Sequence, residues 1–431
     1  MWNLLRKRDG SSPLGGSRKL FFFFLGIMSV VNNGVLYFCI LAFCLNSFIP
    51  LVDYYSPWYA VGGISAVMLF YLSKAKPSKL FNGIGLLFLG ALLVWFQYWV
   101  THREADFTGY SINGVIAWIP CIIALLCNSV IKLKYQKKIL QVSFVIISFT
   151  AITTILGLMQ YPFASRELAT PDIGALREVY TFLNIGGYEF IYSLVISIPL
   201  IVWLIKNTKG CLKVLNVLIL LVIIYCIYMS VFTTALVLTL VAGILLFIAM
   251  KPNSKPFIIG LIILFLILYY SRMLAAIVFW ISTLVESDYV SDRLLQFAMV
   301  LDGTDVNNIN TNTTTERIDI TQRAVDGFLS SPLFGNNIIS FNRKVLSGHS
   351  LIIDLLSGSG LLGVLLYARI FYTLFKKIFL KSFLKVNIYV RISWILFIAV
   401  SVANPTNFPL IYYTIFPLSI IVDNLSMDTL K

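Results

Sequence analysis

Apolar runs of about 20 residues recur from one end of the chain to the other, and no other feature restricts its fold so severely. Each run is long enough to cross roughly 30 Å of hydrocarbon as a helix. In lipid a backbone finds no water to bond, so only helices and closed barrels satisfy their own amides and carbonyls. The stretch "VLNVLILLVIIYCIYM" (Val214–Met229) is almost continuously apolar, whereas a barrel strand alternates over about ten residues. Composition agrees: 59% of the 431 residues are hydrophobic and 12% are charged, against about a quarter charged in soluble domains. The expectation is an all-α polytopic membrane protein, a single integral domain over residues 1–431 with the lipid bilayer as its solvent.

Hydropathy predicts about twelve spans, at 29–50, 55–73, 80–100, 112–131, 139–161, 187–205, 214–231, 233–250, 257–281, 349–375, 386–403 and 407–423, with eleven the main alternative. The connectors alternate in charge. One set is basic: Arg6, Lys7, Arg8, Arg18 and Lys19; Lys74, Lys76 and Lys79; Lys132, Lys134, Lys137 and Lys138; Lys206, Lys209 and Lys213; Lys251 and Lys255; Lys376, Lys377, Lys381 and Lys385. The other set holds nearly all the carboxylates, including Glu104, Asp106, Glu167, Asp172, Glu178, Glu286, Asp302, Glu316, Asp319 and Asp326. The positive-inside rule then puts the lysine-rich connectors and both termini in the cytoplasm. The net charge of +14 is thus a topology signal, and dispersed lysines on short turns give no nucleic-acid surface.

Two outward connectors are long enough to build a site: residues 162–186, and 282–348 before the tenth span. Within the second, "DGTDVNNINTNTTTE" reads as a mobile polar loop. The following "RIDITQRAVDGFLSSPLFG" reads as an amphipathic helix with Ile318, Thr321, Val325, Phe328 and Leu329 on its apolar face, stopped at Pro332 and Gly335. The six cysteines (Cys39, Cys44, Cys121, Cys127, Cys211, Cys226) avoid that connector, so neither a disulfide framework nor a zinc site is expected. The basic start precedes a long apolar run with no convincing cleavage site, so no cleavable signal peptide is expected. No internal repeat is visible.

Candidate chemistry gathers outside. His349, one of two histidines, opens the helix of the tenth span and can exchange protons near neutral pH. Asp354 lies five residues on, roughly 140° around the axis, and an ionisable group within a span is a functional candidate. Gly358, Gly360 and Gly363 read as small residues for close helix packing. Arg323 has Asp319 and Asp326 at helical pairing distance and reads as salt-bridged. Arg317 and Arg177 have no acidic residue three or four positions away, which suits them to an anionic ligand such as a phosphate. Arg166, Arg272, Arg293, Arg343 and Lys344 are weaker candidates of the same kind, and His102 reads as surface. No metal-binding motif stands out, so no metal or cofactor is expected.

The stretch "GHSLIIDLLSGSGLLGVLL", a histidine opening a helix followed by leucines and a Gly-x-x-Gly pattern, resembles the signature of the bacterial O-antigen polymerase and O-antigen ligase superfamily. "RIDITQRAVDGFLSSPLFGNN" is similar to that family's arginine, amphipathic helix and Pro-Leu-x-Gly segment. "GLMQY" (Gly157–Tyr161) and "REVYTFLN" (Arg177–Asn184) are similar to its fifth helix and arginine-bearing loop. The likeness covers roughly residues 139–375. One feature departs: the family often has Ser-Arg where this chain has Thr233 and Thr234.

The resemblance implies a metal-independent glycosyl transfer at the outer face of the inner membrane, from an undecaprenyl-diphosphate-linked oligosaccharide to a sugar hydroxyl. Arg177 and Arg317 would hold the diphosphate, with Arg272 or Arg293 standing in for the missing arginine. His349 would act as general base or position the acceptor. A polymerase, with a chain-length regulator protein as a further partner, is favoured over a ligase by the missing arginine and the aromatic-rich sequence. A lipid-linked oligosaccharide flippase is the rival from another class.

Overall fold

The computed structural model describes residues 33–55, 131–168, 174–250, 270–284, 312–333, 350–380, 386–404 and 409–428, with isolated positions at 267, 291, 295, 298, 299, 302 and 335. Every element among the described residues is helical. In chain order these are α1 (Asn33–Phe48), α2 (Pro50–Tyr55), α3 (Leu133–Gln160), α4 (Ala164–Glu167), α5 (Ala175–Phe182), α6 (Tyr188–Asn207), α7 (Cys211–Met229) and α8 (Thr233–Met250). There follow α9 (Met273–Leu284), α10 (Asn312–Ser330), α11 (Leu351–Leu380), α12 (Ile388–Ala403), α13 (Pro409–Tyr413), a π-turn (Thr414–Leu418) and α14 (Ser419–Asp428).

Five stretches are long and apolar enough to cross a membrane: Leu133–Gln160, Tyr188–Asn207, Cys211–Met229, Thr233–Met250 and Leu410–Met427. The chain is a helical membrane protein. Shorter apolar helices lie at Tyr37–Phe48, Ala275–Leu284 and Ile388–Val402. The spans read at 55–73, 80–100 and 112–131 lie outside the described residues.

The spans separate by burial. In α6 and in Leu410–Met427, 78% of the apolar window is buried, against 28% in α7 and 22% in α8. α6 is therefore the hub, packed by α7, α8, α12 and α13, while α7 and α8 leave leucines such as Leu218, Leu221 and Leu240 exposed on their outer faces. Such side chains suit lipid, which is as apolar as leucine.

The hub tolerates Pro199 because a neighbour supplies hydrogen bonding. Proline removes one amide and disturbs the turn before it. There the Ser393 hydroxyl of α12 donates to the Ile196 carbonyl at 2.6 Å. The C-terminal span is likewise distorted at Pro417, where the ladder widens into the π-turn Thr414–Leu418.

Three sequence expectations change. The 349–375 span is not one helix: Gly360 (φ 61°, ψ −167°) breaks α11. The loop "DGTDVNNINTNTTTE" is helical from Asn312 onward. Among the described side chains of α10 the small residues Ala324 and Gly327 are buried, Thr321, Val325 and Phe328 are half-buried and Leu329 is exposed. A helix that packs closely on another buries small residues, so the apolar stripe is rotated from the one large side chains suggest.

Candidate functional site

The two outward connectors carry the candidate residues, and each is joined to the bundle by its own chemistry. The connector 162–186 rests on a polar face of α3. Thr150, Thr153, Thr154 and Gly157 recur at helical spacing within an otherwise apolar span. The Thr150 hydroxyl donates to the Phe48 carbonyl at 2.7 Å, where α1 ends. The Thr153 hydroxyl lies 2.9 Å from the Asn184 carbonyl, and the Asn184 side-chain amide donates back to it at 2.8 Å. The Gly186 amide donates to Thr154 Oγ1 at 2.8 Å.

Asn184 is the knot of this junction. It is buried, takes a left-handed backbone (φ 55°), and accepts from the Leu51 amide through Oδ1 at 3.3 Å. Asparagine visits that region more readily than most residues. At Gly157 the approach is so close that a Cβ would fall 2.4 Å from Ile185 Cγ1. Sequence reading passed over these threonines and Asn184. The available signal was a threonine pattern at steps of three and four inside an apolar helix.

This junction positions α5 and with it Arg177, whose side chain is exposed. The Tyr180 hydroxyl donates to Glu167 Oε2 of α4 at 2.5 Å, and the Tyr161 and Tyr180 rings sit 5.5 Å apart. The bond to the Glu167 carboxylate, with burial second, pushes the Tyr180 phenol up to about 12. On the other flank the Tyr54 hydroxyl reaches Glu178 at 3.4 Å, and the Glu178 charge raises the Tyr54 phenol.

Among the described residues, the second connector meets the bundle through backbone hydrogen bonds. Just past α10, the carbonyls of Pro332 and Leu333 accept from the Leu361 and Leu362 amides at 2.9 and 3.1 Å. In an unbroken helix those amides would bond four residues back; Gly360 turns them outward to the Pro-Leu segment. A Cβ on Gly360 would lie 2.5 Å from the Leu333 carbonyl group and the Gly335 nitrogen. Gly360 thus allows the close approach the sequence suggested and is also the turn of a joint. α10 and α11 pack together around it.

α11 begins at Leu351, capped by Ser350, whose hydroxyl accepts from the Ile353 amide at 3.4 Å. His349, expected on the first turn of this helix, lies outside the described residues. Asp354 is buried in the first turn, and Ser350, Asp354 and Ser357 share one helical face. The Ser357 hydroxyl oxygen, fully buried, has no hydrogen-bond partner.

Arg317 lies on α10, with its side chain outside the described residues, as are Arg293, Arg343, Lys344 and His102. Arg323 is exposed on α10, and its neighbour Asp326 accepts from the Gln322 amide at 3.1 Å. Arg272 pairs with Asp302 at 3.5 Å, with 72% and 37% of the two side chains exposed, a geometry that contributes little stability. Among the described residues no three His, Cys, Asp or Glu side chains converge as a metal-binding group.

The fold defines a helical membrane protein. Compared with known protein families and with curated proteins, the chain matches none.

Proposed function

We propose that the chain is a polysaccharide polymerase of the inner membrane, with about twelve spans and cytoplasmic termini. It would transfer a growing glycan from undecaprenyl diphosphate to the sugar hydroxyl of another lipid-linked repeat unit. The single observation that carries this reading is the Gly360 joint. It ties the end of the Arg317-bearing helix to the helix that follows His349, two candidate residues far apart in sequence. α10 and the first segment of α11, Leu351 to the break at Gly360, both run into the joint by their C-terminal ends. At 1.5 Å per residue the start of α11 is about 14 Å from it and Arg317 roughly 22 Å.

In this reading Arg177 and Arg317 pair with the donor diphosphate through their planar guanidinium forks. Charge grows on that diphosphate as the bond between the sugar C1 and the phosphate oxygen breaks, and fixed cations lower the barrier by meeting it. The acceptor hydroxyl oxygen attacks C1, its proton passes to the His349 imidazole, and the diphosphate leaves with the bonding electron pair. Asp354, buried at the start of the same helix, helps fix the local charge.

The test is complementation of a deletion strain with Arg317→Ala and with His349→Ala, each at normal abundance. The expected gel profile shows single repeat units on the acceptor. Long chains stranded on the lipid carrier would instead mark a ligase, and no repeat units at all a flippase. Unchanged long-chain polysaccharide with both variants ends the proposal.

A further inference from the structure

α5 divides into faces that one medium cannot serve. Tyr180 and Thr181 are buried against the protein. Leu176, Val179 and Phe182 follow at steps of three, so they form a stripe about 120° wide, and they are 45%, 40% and 70% exposed. Arg177 stands roughly 160° from the centre of this stripe, at the angle of Tyr180 and Thr181.

The depth of α5 is fixed by its neighbours. Tyr161 caps the end of the α3 span, and its ring packs on Tyr180. Five residues after Phe182 the α6 span has begun, and the intervening turn is bonded to Ser165 and Thr154. α5 therefore lies across the ends of two spans, at the level where hydrocarbon gives way to headgroups. The lysines of α3 and α6, Lys132 to Lys138 and Lys206, mark the opposite ends of both spans. Exposed tyrosines Tyr54 and Tyr55 flank α5, 51% and 67% exposed, and amphipathic rings of this kind gather at membrane interfaces.

We infer that α5 is an interfacial helix whose Leu176–Val179–Phe182 stripe is seated among the phospholipids of the leaflet opposite the lysine-rich turns. The apolar stripe continues the exposed leucine surface of α7 and α8 in chemistry. Burial of the stripe removes apolar surface from water. This anchoring depends on the membrane reading alone; it holds whether or not the chain transfers glycans.

The test places the photo-crosslinker benzoylphenylalanine at Phe182 in the full chain, reconstituted in nanodiscs of pure phosphatidylglycerol and phosphatidylethanolamine. Leu221, exposed on α7, is the lipid-facing control, and Thr181 the protein-facing one. Phospholipid adducts at Phe182 in yield comparable to Leu221, with within-chain crosslinks at Thr181, are the expected result. A second site at Leu176 guards against a local folding defect. Within-chain or protein–protein crosslinks at both Phe182 and Leu176, or no adduct at either while Leu221 reacts, overturn the inference.

Discussion

The connectors carrying Arg177 and Arg317 are fastened to the bundle differently. The first is held by side chains: three threonines, one asparagine and a serine satisfy loop carbonyls and amides one at a time. The second is held by main chain: two carbonyls meet two amides across a broken helix, and the joint exists because one residue lacks a Cβ. A fastening spread over several side chains weakens by degrees. A fastening that depends on one glycine fails at once.

The largest expected effect follows from Gly360→Ala. Its backbone conformation is essentially confined to glycine, at a cost of about 1–3 kcal/mol for other residues, and the methyl would also press on the Leu333 carbonyl. We expect loss of the joint, read as faster hydrogen exchange at Leu361 and Leu362 and loss of function in complementation. Gly363→Ala, on the same helix without the turn, should be far milder.

Asn184→Ala comes next. It removes two side-chain hydrogen bonds and puts a less permissive residue at a left-handed position, a destabilisation of about 2–3 kcal/mol. A thermal melt in detergent checks it; an unchanged melting temperature would dissolve the contrast between the two connectors. Thr154→Val keeps the shape but leaves the buried Gly186 amide without its acceptor, about 1–3 kcal/mol. Its exchange protection should fall at Gly186 and not at Leu361.

The smallest effect is a pH dependence. The Tyr180 phenol is raised above its ordinary value of 10.0 to about 12, so the folded chain holds that proton more tightly than the unfolded one. The contribution is complete below about pH 10 and is lost as pH rises through about 12. Melting temperatures of the parent and Tyr180→Phe should therefore differ at neutral pH and converge at the alkaline end; a constant difference would separate Glu167 from this role.

Much of the bundle was legible in the sequence because a bilayer leaves so few choices. The long apolar runs at 187–205, 214–231 and 233–250 became α6, α7 and α8 within a few residues. The Pro332 and Gly335 stop signals ended α10 as read. The phase of α10 was misread because large apolar residues were assumed to face inward, whereas Ala324 and Gly327 allow closer approach. Gly360 was read as a close-packing residue but not as a helix break, because a glycine in an apolar run signals packing as readily as a turn. The threonine face of α3 was missed because its three- and four-residue spacing shows a polar face but not what that face bonds to.

The sequence by itself determined that the chain is helical, apolar enough to sit in lipid, and charged in an alternating pattern that gives its connectors sides. These are properties of composition and period, which a bilayer reads locally, residue by residue. Tertiary structure decided which spans lie at the centre, which glycine breaks its helix, and how distant segments close on one another. Those outcomes rest on single contacts between residues as far apart as Pro332 and Leu361 or Thr154 and Gly186, and no local pattern encodes such pairings.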